Sequence, residues 1–248
     1  MKESKISNNK ILGIILLIIA IFGTLVIFHR IGCYFYEYDP KFAPYDYGRF
    51  NFFSYFTVQS NIFVCIYLYF TSFAILGNKK AKNVAFNPMI GALVTTYIIV
   101  TGAVYCCGIP MGFTPPFTWD TPVHAMSSFI QVFHHMIIPP LMIFLWFFPF
   151  TNEKISYKKL PIFGIYPFVY SIFSIIRGAV SNPQFFAYPF YNPEFDYGLF
   201  SSEGYTVIKG YLSMIPLLIV GIGLFILIAA LVILIHNKRT SKIWALCQ

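Results

Sequence analysis

Six apolar stretches separated by short polar segments organise the chain. Each is long enough to cross a hydrocarbon core of about 30 Å, which takes roughly 20 helical residues at 1.5 Å each. The pattern predicts an all-α integral membrane protein whose six transmembrane helices lie at about residues 11–29, 52–76, 89–107, 125–149, 160–179 and 209–235. Since no linker or repeat is visible, residues 1–248 are predicted to form one six-helix domain.

The first and last stretches differ from the four between them. They consist almost wholly of Ile, Leu, Val, Gly and Ala, whereas the middle four contain polar groups, Gly and Pro. This difference predicts that the first and last helices face lipid around a more polar interior. No small-x-small cleavage pattern follows the first stretch, so we expect a retained span rather than a signal peptide.

Composition agrees with a membrane location. The chain is 58% hydrophobic and only 10% charged, whereas a soluble domain usually carries about 25% charged residues. The five cysteines lack metal-ligand spacing, and we expect no metal or organic cofactor. Cys33 and the pair Cys106 and Cys107 lie near one predicted face. They could form a bridge, or they could be small buried apolar residues.

Charged residues predict the orientation. Most of the basic residues lie before the first span and after the second, fourth and sixth, at Lys2, Lys5, Lys10, Lys79, Lys80, Lys82, Lys154, Lys158, Lys159, Lys238, Arg239 and Lys242. The remaining loops hold most of the acids. The positive-inside rule then predicts a multi-pass protein of the cell membrane with both termini cytoplasmic. The net charge of +8 is scattered over short loops, which argues against a nucleic-acid partner.

A polar stripe enters the second span. At helical spacing, Ser54, Thr57 and Asn61 fall on one face, at i, i+3 and i+7. Hydrogen-bonding groups in hydrocarbon need partners or a function. The stripe therefore predicts a site inside the bundle.

The fourth span carries a second stripe, formed by His124, Ser128, Gln131 and His135 at i, i+4, i+7 and i+11. His134 points about 100° away from His135, and the pair lacks the i, i+4 spacing of a metal site. Pro139 and Pro140 follow. A proline removes its own N–H and crowds the carbonyl four residues earlier, so the helix is predicted to bend just after His135. Such a bend either shapes packing or opens a cavity.

A threonine hydroxyl beside a histidine can act as nucleophile and base. Thr57 and His135 can lie at one depth, and Gln131, Ser54 or Asn61 could orient the base or donate to an oxyanion. The alternative is structural, because threonines in membrane helices often bond to their own backbone and histidines join helices.

Two further features lie near the other helix ends. Arg177 either binds a lipid phosphate or carboxylate or extends its charge to the interface. The aromatic loop 185–200 lacks Lys and Arg. It is predicted to lie at the outer interface, or to cap the bundle and guide an acyl chain. No acid lies centrally in a span, which argues against a proton-coupled transporter.

Three motifs occur in the order of a known family. They are Phe53-Ser-Tyr-Phe-Thr-Val-Gln-Ser-Asn61, His135 with Pro139 and Pro140 after it, and Tyr188-Pro-Phe190. With the six-span layout, the chain resembles the androgen-induced membrane protein family, and most closely its bacterial six-helix relatives, over about residues 11–235.

Eukaryotic members of that family are threonine hydrolases that cleave fatty acid esters of hydroxy fatty acids. The resemblance implies that Thr57 is the nucleophile, that His135 rather than His134 is the base, and that a fatty-acyl ester or membrane lipid is the partner. Two positions differ, since the eukaryotic motif has Asp where this chain has Ser60 and Asn where it has Gln131. These differences put an identical substrate in doubt.

Two functional hypotheses follow. The first is an intramembrane hydrolase of lipid-like esters that uses Thr57 and His135, with Tyr188 in support. The second is a non-enzymatic lipid-binding protein or transporter that uses the same cavity. A bundle whose polar groups only pack helices remains a third reading.

Overall fold

The computed structural model describes residues 9–110, 117–148, 150–151, 153–194 and 207–245. Within these ranges the regular elements are all helical, and six helical segments are long and apolar enough to cross a bilayer. The protein is therefore an all-α, multi-pass membrane protein, which confirms the predicted fold class. The α-helices are α1 Lys10–Phe35, α2 Phe56–Ile75, α3 Lys79–Ala85, α4 Pro88–Gly108, α5 Pro122–Val132, α6 Ile138–Trp146, α7 Ile162–Val180 and α8 Val207–Ala245.

The second span begins later than predicted. Residues Asn51–Ser54 form a 3₁₀ turn, and Tyr55 is extended, with φ −89° and ψ 127°. The helical repeat therefore breaks at Tyr55, and Ser54 does not share a face of α2 with Thr57. The prediction of a three-residue stripe on one helix is wrong for Ser54, although Thr57 and Asn61 do lie one turn apart on α2.

The interior of the bundle is built around α4. This helix packs against α2, α6 and α8. In the most apolar part of α4, 61% of the residues are buried, and the share is the same for α2. In the most apolar part of α8 only 17% of the residues are buried, so α8 is mostly exposed, as predicted. The fifth span, which contains α7, is as exposed as α1, at 33% each, so lipid-facing helices are not only the first and last.

The two ends of the bundle are named here by the helix ends that meet at each of them. Ser72 near the end of α2 donates to the carbonyl of Gly13 near the start of α1, at 2.7 Å, and Arg239 of α8 donates to the carbonyl of Trp146 at the end of α6. We call this the terminal end. The opposite, distal end holds the last turns of α1 and the first turn of α2.

Close packing of α1 on α2 depends on small residues. A Cβ atom at Gly23 would lie only 2.9 Å from the Sγ atom of Cys65. Backbones approach closely at such positions in membrane proteins. The described cysteines are free thiols: Cys33 and Cys65 are buried, whereas Cys106 and Cys107 are exposed. Of the two alternatives for these cysteines, the bridge is absent, and the buried apolar reading holds for Cys33, which packs in the core, but not for Cys106 and Cys107, which are exposed. Cys247 lies outside the described residues.

Candidate active site

The first turn of α2 presents Thr57 at the distal end. Helix N-termini carry N–H groups that have no partner within the helix, and Tyr55 at the N-cap supplies no side-chain bond. Two tyrosine hydroxyls accept instead: the N–H of Phe56 donates to Tyr170 at 3.1 Å, and that of Thr57 donates to Tyr188 at 3.3 Å. The start of α2 is thereby fixed to α7 and to the loop after it.

Thr57 and His135 are in hydrogen-bond contact. The Oγ1 atom of Thr57 lies 3.1 Å from the Nε2 atom of His135. Thr57 is partly buried, and His135 is 7% exposed. The structure thus brings together the two residues that the sequence singled out, 78 positions apart.

The second ring nitrogen of His135 fixes its tautomer. The Nδ1 atom lies 2.9 Å from the backbone carbonyl of Gln131. A carbonyl only accepts, so Nδ1 must carry the proton, and in the neutral ring Nε2 then has the free lone pair. The Thr57 hydroxyl therefore donates to Nε2, which is the arrangement in which a histidine can remove a hydroxyl proton.

A π-helical turn places His135 in this position. Residues Phe133–Ile137 form the turn between α5 and α6, and the N–H of Ile138 donates to the carbonyl of Phe133. Pro139 and Pro140 follow and have no N–H to continue the α-helical pattern. The irregularity predicted beside His135 is present, as a widened turn. Such turns occur often at functional sites.

Two residues of α4, Tyr105 and Gly102, pack against His135. The ring of Tyr105 stacks on that of His135 with centroids 3.7 Å apart and 13° between planes. A Cβ atom at Gly102 would lie 2.9 Å from the His135 carbonyl and 2.8 Å from the Pro139 ring. The lack of a side chain at Gly102 is therefore what lets α4 lie directly against the π-helical turn.

Thr57 differs from other threonines of the bundle. Four of them donate to the carbonyl four residues earlier, as threonines in membrane helices commonly do; they are Thr24, Thr71, Thr101 and Thr240. Thr57 is the second residue of α2, so it has no helical carbonyl four residues before it. Its hydroxyl points to the imidazole instead.

Tyr188 also contacts Thr57. Its hydroxyl lies 3.4 Å from the Oγ1 atom of Thr57. Burial raises the pKa of Tyr188, while its hydrogen bonds to Thr57 and the positive charge of Arg30 act in the opposite direction. The raised pKa keeps the phenol protonated at neutral pH, where it can donate a hydrogen bond.

The other predicted site residues, Asn61, Gln131 and Ser54, act near the pair through hydrogen bonds that involve main-chain carbonyls. Asn61 donates to the carbonyls of Thr57 at 2.9 Å and of His134 at 3.4 Å, and so joins α2 to the π-helical turn. Gln131 orients His135 through its main-chain carbonyl. Ser54 offers its carbonyl to Tyr170 at 2.7 Å.

Arg177 and the loop after α7 close the distal end. Arg177 donates to the Oδ1 atom of Asn51 at 2.5 Å and to the Phe185 carbonyl at 3.1 Å. It therefore links the entry to α2 with the loop, through protein groups rather than lipid. The described part of the aromatic loop folds over the bundle, with Tyr191 buried and bonded to Ser171 at 2.9 Å. Residues 195–200 of that loop lie outside the described ranges.

The second predicted stripe divides into two parts. His124 pairs with Asp120 at 2.9 Å, and Ser128 bonds to the backbone of Thr118. Both lie near the start of the fourth span, away from the Thr57 contact. Only the C-terminal part of the stripe, at Gln131 and His135, reaches the site.

Sequence reasoning missed Arg30. The predicted first span ended at residue 29, whereas α1 continues to Phe35 and Arg30 is only 8% exposed. The apolar residues that follow Arg30 were the available signal. Tyr105, Tyr170 and Gly102 carried no comparable signal, because tyrosines and glycines are common throughout this chain.

Comparison of the chain with models of protein families, with curated proteins and with solved structures gives no match.

Proposed function

We propose that the protein is an intramembrane hydrolase of lipid-like carboxylic esters, with Thr57 as nucleophile and His135 as general base. The observation that supports this most directly is the 3.1 Å contact between Thr57 Oγ1 and His135 Nε2, with Nδ1 held by the Gln131 carbonyl. A nucleophile, a base and a group that orients the base form the arrangement on which covalent hydrolysis depends.

In the proposed reaction, Nε2 of His135 takes the proton from Thr57 as Oγ1 forms a bond to the ester carbonyl carbon. The tetrahedral intermediate then breaks its bond to the alkoxy oxygen, and His135 returns the proton to the leaving alcohol. Water attacks the acyl-Thr57 ester with the same assistance, which releases the acid and restores the hydroxyl.

The surroundings of Thr57 suit the negative charge that develops on the carbonyl oxygen. The first turn of a helix carries partial positive charge, and Thr57 lies in the first turn of α2. The Tyr188 hydroxyl, 3.4 Å from Oγ1, is a donor that can turn toward this oxygen. Such preorganised donors typically contribute most to the rate of acyl transfer.

The membrane setting and the family resemblance favour an acyl lipid as substrate. The site lies at one end of a bundle of apolar helices, where an ester with long chains would be dissolved in the bilayer. The resemblance to the androgen-induced membrane protein family points to fatty acid esters of hydroxy fatty acids. Ser60 and Gln131, which differ from the eukaryotic pattern, allow a different member of this chemical class.

The basic residues favour one orientation. Lys79, Lys80 and Lys82 lie in or beside α3 at the terminal end, and Lys154, Lys158 and Lys159 lie in the connection from α6 to α7. We infer from the positive-inside rule that the terminal end faces the cytoplasm of a cell membrane. The Thr57 site would then open toward the outer leaflet.

Labelling with a fluorophosphonate probe and hydrolysis of acyl p-nitrophenyl esters test the proposal. We expect purified wild-type protein to be labelled and to turn over, and Thr57→Ala and His135→Ala to do neither. Thr24→Ala is the matched control, because the Thr24 hydroxyl is bonded to the Ala20 carbonyl at 2.8 Å and to Tyr69 at 3.1 Å, far along the chain from the site.

The rival function gives a different result. A lipid-binding protein or transporter would fold, bind acyl lipids and resist labelling. Equal hydrolysis by the wild type and Thr57→Ala would show that Thr57 is not the nucleophile.

A further inference from the structure

Arg30 is a buried cation without an acidic partner in the described part of the chain. It is 8% exposed. The ion pairs found there join Arg49 to Glu37 and His124 to Asp120, and no described carboxylate lies within 4.0 Å of Arg30. A buried charged side chain within a membrane-spanning helix is costly and usually marks a functional site.

Aromatic rings stabilise the guanidinium without neutralising it. Its Cζ atom lies 4.5 Å from the ring centroid of Phe42 and 5.7 Å from that of Tyr55. Cation–π contacts of this kind contribute about 0.5–2 kcal/mol. They leave the N–H donors of the guanidinium available to an anion.

A short series of contacts connects Arg30 to the proposed nucleophile. The ring of Tyr55 packs edge-on against that of Tyr188, with centroids 6.0 Å apart. The Tyr188 hydroxyl contacts Thr57, and the charge of Arg30 acts on that same phenol. Arg30 therefore contacts one member of an aromatic pair at the distal end, and Thr57 contacts the other.

Further polar atoms are buried in this region. Within the described ranges, the Tyr34 hydroxyl, one helical turn after Arg30 on α1, and Nε2 of His134 beside the base are buried with no partner at good hydrogen-bond geometry. Arg30 and Tyr55 nevertheless lie close enough to Tyr34 to interact with its phenol. Buried polar groups are usually paired with protein or water, and each exception calls for an explanation. A buried cation with no acidic partner, next to a hydroxyl that can donate, suits an anion.

We propose that Arg30 binds an ionised carboxylate on the acyl ligand and thereby selects ligands that carry a negative charge. The proposal deepens the proposed hydrolase function and rests on it for the position of the ester at Thr57. A guanidinium can bind a carboxylate through two parallel hydrogen bonds. Arg30 is thus a specificity residue that touches the ligand away from the reacting carbonyl.

Ligand binding to the Thr57→Ala protein tests this without any turnover. The probes are hexadecanoate, hexadecanamide and hexadecyl phosphate, compared at about pH 9, where a carboxyl is ionised. We expect hexadecanoate to bind about 10- to 100-fold more tightly than the amide, as a charge-assisted hydrogen bond to a buried group implies. We expect Arg30→Gln in the same background to remove that preference.

The control is Lys41→Gln, which removes a positive charge from an exposed residue at the distal end. It should keep the preference for hexadecanoate. Tighter binding of hexadecyl phosphate than of hexadecanoate would overturn the choice of a carboxylate in favour of a phosphate. Equal binding of hexadecanoate and hexadecanamide, or a preference that survives Arg30→Gln, would overturn the role of Arg30.

If Arg30→Gln fails to fold, Arg30→Met removes the charge from a side chain of similar length, and an unchanged preference for hexadecanoate would then overturn the proposal. A kinetic comparison separates this inference from the proposed function. Hydrolysis of a p-nitrophenyl ester with a terminal carboxylate should fall about 10-fold further in Arg30→Gln than hydrolysis of the neutral alkyl ester, and an equal fall for both esters would overturn the role of Arg30 in selection. Absence of hydrolysis by the wild type would contradict the hydrolase and leave the binding result to stand by itself.

Discussion

The two ends of the bundle contain similar residues in different arrangements. Each end has a buried histidine near an arginine: His135 and Arg30 at the distal end, His236 and Arg239 at the terminal end. Nε2 of His236 donates to the carbonyl of Glu153 at 2.7 Å. Nε2 of His135 instead faces the Thr57 hydroxyl.

The two histidines differ in the partner of Nε2, which is a carbonyl for His236 and a hydroxyl for His135. A nitrogen that donates to a carbonyl carries a proton and cannot accept another one. His236 therefore joins α8 to the connection after α6. Each neutral ring keeps a lone pair on its other nitrogen, and what distinguishes His135 is that this nitrogen faces the Thr57 hydroxyl.

Replacing each histidine by alanine should separate the two ends most strongly. We expect His135→Ala to lower kcat for acyl ester hydrolysis by about 10²- to 10⁴-fold, since general base catalysis contributes about that much. His236→Ala should keep kcat and lower the thermal midpoint in detergent. An equal loss of kcat in both variants would show that the effect is one of folding.

Adding one methyl group on α4 beside His135 should disturb the distal end without removing any polar group. Because a Cβ atom at position 102 would lie 2.9 Å from the His135 carbonyl, Gly102→Ala should destabilise the protein by about 1–3 kcal/mol and lower activity. Gly221→Ala is the control, as a Cβ atom there meets nothing within 4 Å. Thermal unfolding followed by tryptophan fluorescence measures both. A wild-type midpoint for Gly102→Ala would contradict the close contact.

Removing a single hydroxyl from the loop tests its part in the site. Tyr188→Phe should lower kcat about 10-fold, a loss that corresponds to one hydrogen bond of about 1.4 kcal/mol. Because burial raises the pKa of Tyr188 above its ordinary value near 10, the phenol stays protonated and the loss should be constant from about pH 7 to 9. Tyr191→Phe, which loses only the bond to Ser171, should keep kcat. A loss that varied across this pH range would point to ionisation of Tyr188.

The smallest effect is expected at the terminal end. The indole N–H of Trp146 donates to the Val232 carbonyl at 2.9 Å and so joins α6 to α8. Trp146→Phe should lower the free energy of unfolding by about 1 kcal/mol and leave ester hydrolysis unchanged. A change in kcat would mean that the two ends are coupled through α6.

The fold could be predicted because its signals are local. Each of the six apolar stretches is visible in a segment of about 20 residues. Part of the site could also be predicted, because some of its signals are local. Thr57 and His135 lie in polar stripes, and the two prolines signal an irregular helix. Their mutual contact depends on how three helices pack, which no single window contains.

What the sequence did not show depends on exact helix ends. The break at Tyr55 removed Ser54 from the α2 face, and the extension of α1 to Phe35 brought Arg30 inside the bundle. Helix ends predicted from sequence carry errors of about 2–4 residues. A shift of that size decides whether a residue lies in a loop or among helices.

The π-helical turn has a consequence for the length of the chain. An α-helix advances about 100° per residue, and a π-helical turn accommodates one surplus residue. The fourth span therefore carries one residue more than a continuous α-helix of the same reach would need. Deletion of a single residue within Phe133–Ile137 would let α5 and α6 join in register, and His135 would then turn away from Thr57. In this span, insertions and deletions would change the site more than most substitutions.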